Sequence, residues 1–413
     1  MFSNQYDVRQ TAIARLLERN NSDSAAALIQ AIRFIRDPGI FRVLETVTGV
    51  SNGTSWNAWM LWQEAHPEIV PFENFAAFKA NVMAKLDPAF RLLLRPGIAH
   101  TIRLEEIAWG GVIKDGIPAL VNPALIAADE AGYLDDGEQV FGVAINGDVR
   151  AYPLRIMDWH EMFNDVIGGV PVALAYCTLC GSGILYDTRV EGRAEPFVFG
   201  SSGFLYRSNK LMYDQATHSL WNQFTGEPVV GPLTGSGIEL KILPVAITTW
   251  AKWRQRHPDT KVLSLETGYV RDYRPGRPYG TYFASPGLMF PALVPDDALA
   301  PKDQVFVLRD GGAEKAWRLS AFEGGQVVND TLSGRPVVLI GDAASRTVRA
   351  YVSGGRVFAA GADEDHVMAD GVSWRLEEHA LIAEDGERLE RLAGHIAYWF
   401  AWANFRRGAE LAD

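Results

Sequence analysis

An internal repeat constrains the fold of this 413-residue chain more than any other feature. Residues 141–186 align with residues 306–351 at a constant offset of 165, without a gap over 46 positions, and eleven of these positions are identical. Chance gives roughly three identities in a chain of ordinary composition. A further stretch, 237–253, aligns with 386–402 at an offset of 149. We therefore expect two tandem, homologous units.

Sequence patterns predict strands in the region of the repeat and helices before it. After about residue 100, short apolar runs alternate with glycine, asparagine and proline, as in VFGVAING and VPVALAYC, which is typical of strands and hairpins. The N-terminal stretches QTAIARLLERN and FENFAAFKANVMAKL instead have helical spacing, and short helices with short connections indicate a HEAT-like layer. The expected fold class is α+β: a helical layer at 1–97, a β-rich first unit at 98–300 and a degenerate β-rich second unit at 301–413.

Composition and charge exclude several classes of partner. The formal net charge is −11, and an acidic chain repels phosphate groups, so we expect neither nucleic acid nor a membrane surface as a partner. The sequence contains no run of 18 apolar residues, so no membrane-spanning helix is expected. The start, MFSNQYDVRQ, lacks the pattern of a signal peptide. That predicts a cytoplasmic location, with a periplasmic one open if the N-terminus was trimmed.

The only two cysteines of the chain, Cys177 and Cys180, lie in the stretch YCTLCGSG. The sequence predicts a buried strand that ends at Cys177 and another strand at GILYD, so both thiols are expected on a tight loop between strands. Two cysteines do not make a disulfide framework. Two thiolates at this spacing suit soft metals such as Cu(I), zinc or iron. A pair of inert cysteines, packed as small hydrophobic residues, remains an alternative.

The repeat allows one unit to be judged against the other. Positions shared by both units are expected to serve the fold: the Asn164–Asp165 pair is interpreted as a turn, and the tryptophans Trp250 and Trp253 as core packing. Positions found in one unit alone are candidates for function. His160, Glu161, Cys177 and Cys180 align with Gly325, Gln326, Asp342 and Ser345. We therefore expect the chemistry in the first unit.

His160 is the best candidate for a third metal ligand, because the segment after it turns and returns into the strand that ends at Cys177. A Cys2His set leaves an open coordination position, which is typical of catalytic sites. Glu161 is expected to support a ligand or to shuttle protons. Residues 200–225 are expected to wall the pocket, with Tyr213 and His218 as further candidate catalytic residues.

Several motifs, in order, resemble a known bacterial family. RAYPLRIMDWHEMFND, VALAYCTLCGSGILYD and TTWAKWRQRHPDTKVL are similar to the family catalogued as domain of unknown function 3179, over about residues 100–413. The resemblance implies no assigned chemistry. Thr178 stands where members of that family often carry proline after the first cysteine. The N-terminal helices look like a layer added to the family's domain.

We therefore expect a metal-dependent redox enzyme, similar to an oxidase or oxygenase, that acts on a small molecule. One transition-metal ion is expected as cofactor: copper is favoured because two thiolates and an imidazole suit it, and iron or zinc is possible. Zinc would instead imply hydrolysis by an activated water. A metal carrier or thiol redox protein without turnover is another alternative, although the βαβ context of thioredoxin-like motifs is lacking.

Overall fold

The structure is a computed structural model that describes residues 5–294 and 298–412. The α-helices in these ranges are α1 Tyr6–Arg19, α2 Ala25–Ile32, α3 Pro38–Thr48, α4 Trp56–Ala65, α5 Phe75–Met83, α6 Phe90–Leu93, α7 Leu154–His160, α8 Trp250–Arg256, α9 Gly280–Phe283 and α10 Trp399–Phe405.

The strands that precede residue 300 are β1 Ile107–Trp109, β2 Leu120–Val121, β3 Leu125–Ala127, β4 Gln139–Ile145, β5 Asp148–Pro153, β6 Met162–Ile167, β7 Val170–Cys177, β8 Ser182–Asp187, β9 Phe199–Tyr206, β10 Asn209–Asp214, β11 Leu220–Asn222, β12 Pro228–Val230, β13 Ile242–Leu243, β14 Ala246–Thr249 and β15 Lys261–Leu263.

The strands that follow are β16 Gln304–Asp310, β17 Ala313–Arg318, β18 Gln326–Leu332, β19 Arg335–Asp342, β20 Thr347–Val352, β21 Ala359–Ala360, β22 His366–Ala369, β23 Val372–Leu376, β24 Ala380–Ala383, β25 Arg388–Leu392, β26 Gly394–Tyr398 and β27 Glu410–Leu411.

The predicted α+β class, with N-terminal helices followed by a β-rich region, is confirmed. Helix α3 shows how local sequence sets the helix ends: the Asp37 side chain accepts from the Gly39 amide at 2.9 Å, Pro38 opens the helix, and Gly49 closes it with φ of +73°. Helices α5 and α6 pack on β9 and β10, where the rings of Phe90 and Phe204 lie 4.5 Å apart. The helical layer therefore braces one sheet of the β-rich region. In the described ranges, no helix combines the length and apolar character needed to cross a bilayer.

The β-rich region forms five sheets within the described residues. Their strand orders are β1-β9-β10-β11-β12, β13-β8-β7-β6-β2, β14-β4-β5-β15-β3, β26-β16-β17-β27 and β18-β19-β20-β25-β24-β23-β22-β21. Strands β4 to β8 follow one another by hairpins and one short helix, and β16 to β20 follow in the same way with a 3-10 turn in place of the helix.

Strand pairing repeats in register at the two sequence offsets. The corresponding antiparallel pairs are Phe141↔Ile247 and Phe306↔Ile396, and Tyr186↔Ile242 and Tyr351↔Arg391. The corresponding parallel pairs are Arg150↔Lys261 and Lys315↔Glu410. We refer to residues 98–300 as the first unit and to residues 301–413 as the second unit.

The interpretation of Asn164 and Asp165 as a turn is wrong, because both lie within strand β6. Asn164 bridges to a neighbouring sheet: its Nδ2 donates to the Phe199 carbonyl at 2.9 Å, and its Oδ1 accepts from the Phe199 amide at 2.8 Å. The turn lies further on, at Gly168 and Gly169, whose φ values are +54° and +78°. Asn329 makes the same double bridge to Phe358 at 2.8 Å.

The two units cover one another's central strands. Strand β26 of the second unit packs on β8 of the first, and β14 of the first packs on β20 of the second. As a result, α10 shares an apolar cluster with Cys177 and Cys180, while Lys252 of α8 reaches Asp342, with 2.9 Å between Nζ and Oδ2. The paired tryptophans of α8 and α10 are buried, as the sequence predicted.

Candidate functional site

Cys177 and Cys180 lie on a tight strand-to-strand loop, as predicted. Cys177 ends β7, residues 178–180 form a single 3-10 turn, and Gly181 adopts the left-handed conformation with φ of +60°. Strand β8 then begins at Ser182, which pairs with Cys177. Because β7 and β8 lie in the middle of a five-stranded sheet, the loop is held by rigid neighbours on both sides.

Both cysteines are free and buried, with 3% and 0% of their surfaces exposed. The two thiols lie close enough for Cys177 to affect the titration of Cys180. The Cys180 thiol donates to the Ser208 carbonyl at 3.3 Å and accepts from Asn209 Nδ2 at 3.5 Å. Burial raises the pKa of Cys180 well above its usual value, and the neighbouring Cys177 raises that pKa further. Cys180 therefore keeps its proton at neutral pH unless a cation replaces it.

Aromatic side chains from distant segments close the loop. Tyr282 of α9 donates to the Leu179 carbonyl at 2.8 Å. On the second unit, the Tyr398 ring lies 3.1 Å from where a Cβ would stand at Gly181, so glycine is required there for close packing as well as for its backbone conformation. The thiols thus lie in a largely apolar enclosure.

A buried ion pair contacts the same loop. Lys210 Nζ and Glu161 Oε2 lie 3.0 Å apart, with 4% and 12% of the two side chains exposed. Glu161 Oε1 also accepts from Thr178 Oγ1 at 3.1 Å, so the pair is linked to the residue between the cysteines. Because the desolvation of a buried ion pair offsets much of its Coulomb attraction, this pair is better suited to electrostatic control of the loop than to stability.

Both ring nitrogens of His160 are engaged by groups other than the cysteines. Its Nδ1 lies 2.8 Å from the Pro118 carbonyl and its Nε2 lies 2.6 Å from the Tyr273 hydroxyl. A carbonyl only accepts, so Nδ1 carries the proton and Nε2 accepts from Tyr273. Burial lowers the pKa of His160, which keeps the ring neutral. Across residues 5–294 and 298–412, no three or more His, Cys, Asp or Glu side chains are grouped to hold a metal ion.

Tyr213 and His218 lie together, with 6.0 Å between their ring centroids. Tyr213 donates to Asp115 Oδ2 at 2.7 Å and packs in the apolar cluster beneath the N-terminal helices, a cluster that does not include the cysteines. Glu161 is the candidate catalytic residue whose side chain bonds to the cysteine loop. The 200–225 segment does wall the loop, through Asn209 and Lys210.

Sequence reasoning missed several residues of the site. Lys210, Asn209 and Tyr279 lie outside the gap-free repeat, so comparison of the units gives no signal for them. Asp158 aligns with Glu323. Because both residues are acidic, the comparison of units does not mark this position, although Asp158 is buried and Glu323 is exposed.

Asp158 lines a cavity of about 460 Å³ beside the loop, which we call the Trp159 cavity. Its other lining residues include Trp159, Arg271, Val270 and Tyr279. Burial raises the pKa of Asp158 to about 8, and its Oδ1 has no hydrogen-bond partner among the described residues. Tyr279 links this cavity to the loop, since its hydroxyl lies 3.4 Å from Glu161 Oε1. A small molecule in the Trp159 cavity would thus lie beside a protonated carboxyl.

Comparison with known proteins gives a family and nothing more specific. The family described as "Protein of unknown function (DUF3179)" matches residues 114–408. No curated protein and no solved structure matches the chain.

Proposed function

This chain belongs to the family of proteins of unknown function called DUF3179, and from that premise we propose that it is a metal-dependent redox enzyme acting on a small molecule. One soft metal ion, copper in preference to iron or zinc, is held by Cys177 and Cys180. The observation that carries the proposal is the pair of free, buried thiols on one short loop between two paired strands.

Copper is favoured by what surrounds the two thiols. Cu(I) is soft and prefers sulfur, and it accepts a coordination shell of two thiolates. Zinc in proteins takes four ligands, or three and a water, and no larger metal-binding group is present in the described chain. Cys177 and Cys180 would have to release both thiol protons to hold a metal, whose charge would offset part of the cost of ionising buried sulfur.

His160 enters this proposal as a ligand only if it exchanges its bond with Tyr273 for the metal. Its Nδ1–H bond to the Pro118 carbonyl fixes the tautomer in which Nε2 is the atom available for a metal. The Lys210–Glu161 pair carries no net charge, so it would not neutralise a bis-thiolate Cu(I) site; its contact with Thr178 would instead hold the loop between the two cysteines in place.

The Trp159 cavity is the proposed substrate site. Its volume of about 460 Å³ falls within the range of small-molecule pockets. Asp158, protonated at neutral pH, can donate a hydrogen bond or a proton to a bound molecule. A redox-active metal held by Cys177 and Cys180 would supply electron transfer, so that a substrate that gives up two electrons and two protons could be oxidised with reduction of dioxygen to hydrogen peroxide.

A second candidate is a thiol redox protein without a metal. The free, adjacent thiols favour it, because their oxidation gives a neutral disulfide that suits a buried site. The two thiols would release two protons and two electrons, and dioxygen would take them up as hydrogen peroxide.

We also infer that the two units arose from one duplicated ancestor, with the first unit at 98–300 and the second at 301–413. The matching registers of four strand pairs support this, as does the shared asparagine bridge. The HEAT-like character of residues 1–97 belongs to the same proposal, and their packing on β9 and β10 supports a bracing role.

Anaerobic titration of the reduced full-length chain with Cu(I), against a chelator of known affinity, tests the function. We expect one Cu(I) per chain, thiolate-to-copper absorption in the ultraviolet, and protection of both thiols from a thiol reagent. Oxygen uptake with reduced small molecules then separates an enzyme from a carrier. Thiols that stay reactive at one equivalent of copper would exclude the copper site, and their oxidation to a disulfide by dioxygen would favour the second candidate.

A further inference from the structure

A second cavity, which we call the inter-unit cavity, lies between α8 of the first unit and the 342–345 loop of the second. Its volume is about 460 Å³. It is lined from the first unit by Thr248, Lys252 and Arg256, and from the second by residues that include Asp342, Ser345 and Arg349.

The inter-unit cavity lies against the loop of the second unit that corresponds to the cysteine loop of the first unit. Asp342 and Ser345 align with Cys177 and Cys180 at the offset of 165. Lys252 aligns with Ala401 of α10 at the offset of 149. Each loop is therefore covered by the short helix of the other unit: α10 covers the cysteine loop, and α8 covers the 342–345 loop.

Two glycines help to keep this place open in the second unit. Gly324 and Gly325 align with Trp159 and His160. A Cβ added at Gly324 or Gly325 would meet no atom within 4 Å, so the space that bulky side chains fill in the first unit is empty here. The cavity is a consequence of the sequence difference between the units.

The charges around the cavity are already paired. Lys252 Nζ lies 2.9 Å from Asp342 and 3.1 Å from Glu364. Arg256 is bonded to Asp365, and Arg349 Nη2 lies 2.6 Å from Glu378. A free anion would have to displace these carboxylates, and a free cation would have to displace the basic groups, so a charged ligand fits poorly.

Neutral hydrogen-bonding groups complete the lining. They are the hydroxyls of Thr248, Ser345 and Thr347 and the amides of Gln255 and Gln326. A ligand hydroxyl donates one hydrogen bond and accepts two, so it can bond to an ion-paired carboxylate and an ion-paired cation without breaking the pair. The volume suits a ligand the size of one or two sugar rings.

We propose that the inter-unit cavity binds a neutral polyhydroxylated small molecule of mono- or disaccharide size. This site is separate from the cysteine loop and takes chemistry of a different class. It gives the second unit a binding role of its own in place of the thiol chemistry of the first.

Binding of defined probes to the full-length chain tests the proposal. Glucose, mannose, sorbitol, sucrose and trehalose represent the proposed class, while citrate, phosphate and choline are charged controls, all measured by saturation-transfer NMR and calorimetry. We expect at least one neutral probe to bind with a dissociation constant of about 1 mM or tighter. Absence of binding by all five neutral probes, or stronger binding of a charged control, would overturn the proposal.

Two variants locate the binding. Gln326→Trp on β18 fills the cavity and should weaken binding at least tenfold, whereas Thr331→Trp, an exposed change on the same strand, should leave it within twofold. Lys252→Met provides a second test without added bulk and should weaken binding about fivefold. Unchanged binding in both cavity variants would refute the location. The Cys177→Ser chain should bind the sugar normally, so this test is independent of the copper site.

Discussion

The loops that join β7 to β8 and β19 to β20 occupy corresponding places, yet they differ in chemistry. The first carries two thiols and is closed by Tyr282 and Tyr398. The second carries Asp342 and Ser345, whose side chains bond to one another at 2.7 Å, and it opens on a cavity. One strand-loop-strand frame thus supports either an apolar sulfur site or an ion-paired polar site.

The comparison shows that the frame and the chemistry are separable. Pairing registers, the asparagine bridge and an acidic residue bonded to a basic residue of the preceding strand recur in both units. The chemistry is set by the residues of the two loops and by side chains that reach them from other elements: Lys210 from β10, Tyr282 from α9 and Lys252 from α8. Substitutions in the loops should therefore change function, and substitutions in the shared frame should change stability.

Replacement of Cys177 or Cys180 by serine should have the largest effect. We expect copper binding to fall from one equivalent to below a tenth and activity to be lost, while the melting temperature falls by only about 3–5 °C. The reason is that the second unit builds the same loop without sulfur. Copper content, thiol titration and thermal melts measure these effects.

Ser345→Ala is the matched control for the cysteine variants, and it should leave copper content unchanged. A Cys177→Ser protein that keeps its copper and its activity would contradict the separation of frame from chemistry. A protein that loses copper and most of its stability together would indicate a structural metal instead.

The shared acidic residue should show the next largest effect, and a different one in each unit. Asp165 bonds to Arg150 at 2.8 Å and Tyr152 at 2.7 Å, with 7% of its side chain exposed. We expect Asp165→Ala to lower the free energy of unfolding by about 3 kcal/mol, because it leaves buried partners unsatisfied. Urea unfolding at fixed pH measures this loss.

Asp330→Ala is the counterpart in the second unit, where 24% of the side chain is exposed and Lys315 keeps Glu410 at 2.8 Å. The expected loss is about 1 kcal/mol, because a partly solvated pair contributes less. Equal losses in the two variants would show that burial does not distinguish the units at this position.

Asp158 and its exposed counterpart Glu323 should differ in how stability depends on pH. Burial raises the pKa of Asp158 to about 8, above its unfolded value of about 4. Between these values the folded chain holds a proton that the unfolded chain has lost, so stability falls as pH rises, by up to about 1.4 kcal/mol per pH unit.

Unfolding free energies measured from pH 5 to pH 8 test this difference. Asp158→Asn removes the titrating group and should make the decline shallower by about 1 kcal/mol per pH unit. Glu323→Gln should leave the slope as it is in the parent chain. An unchanged slope in Asp158→Asn would mean that this carboxyl is ionised in the folded protein.

The sequence predicted those features that depend on neighbours along the chain or on the repeat. The cysteine loop, the buried tryptophans of α8 and α10 and the strand texture are of this kind. The interpretation of Asn164 as a turn fails because turn preference is a local statistic, whereas the bridge from Asn164 to Phe199 crosses between sheets. The grouping of His160 with the cysteines rests on its place in the chain. However, α7 ends at His160 and Glu161 turns the chain with φ of +53°, so the partners of the imidazole are residues 42 and 113 positions away.

His160 should show the smallest effect, and it decides whether the metal set has two ligands or three. His160→Gln keeps the two bonds of the ring, since an amide can donate to the Pro118 carbonyl and accept from Tyr273. With both ring nitrogens engaged in this way, we expect the copper affinity to change less than about threefold, or under about 0.7 kcal/mol. Competition with a Cu(I) chelator measures this change in affinity.

Tyr273→Phe is the matched variant, because it releases Nε2 without removing the imidazole. If Nε2 can reach the metal, Tyr273→Phe should tighten copper binding, and addition of His160→Gln to that variant should remove the increase in affinity. A loss of copper in His160→Gln as large as in Cys177→Ser would establish His160 as a ligand.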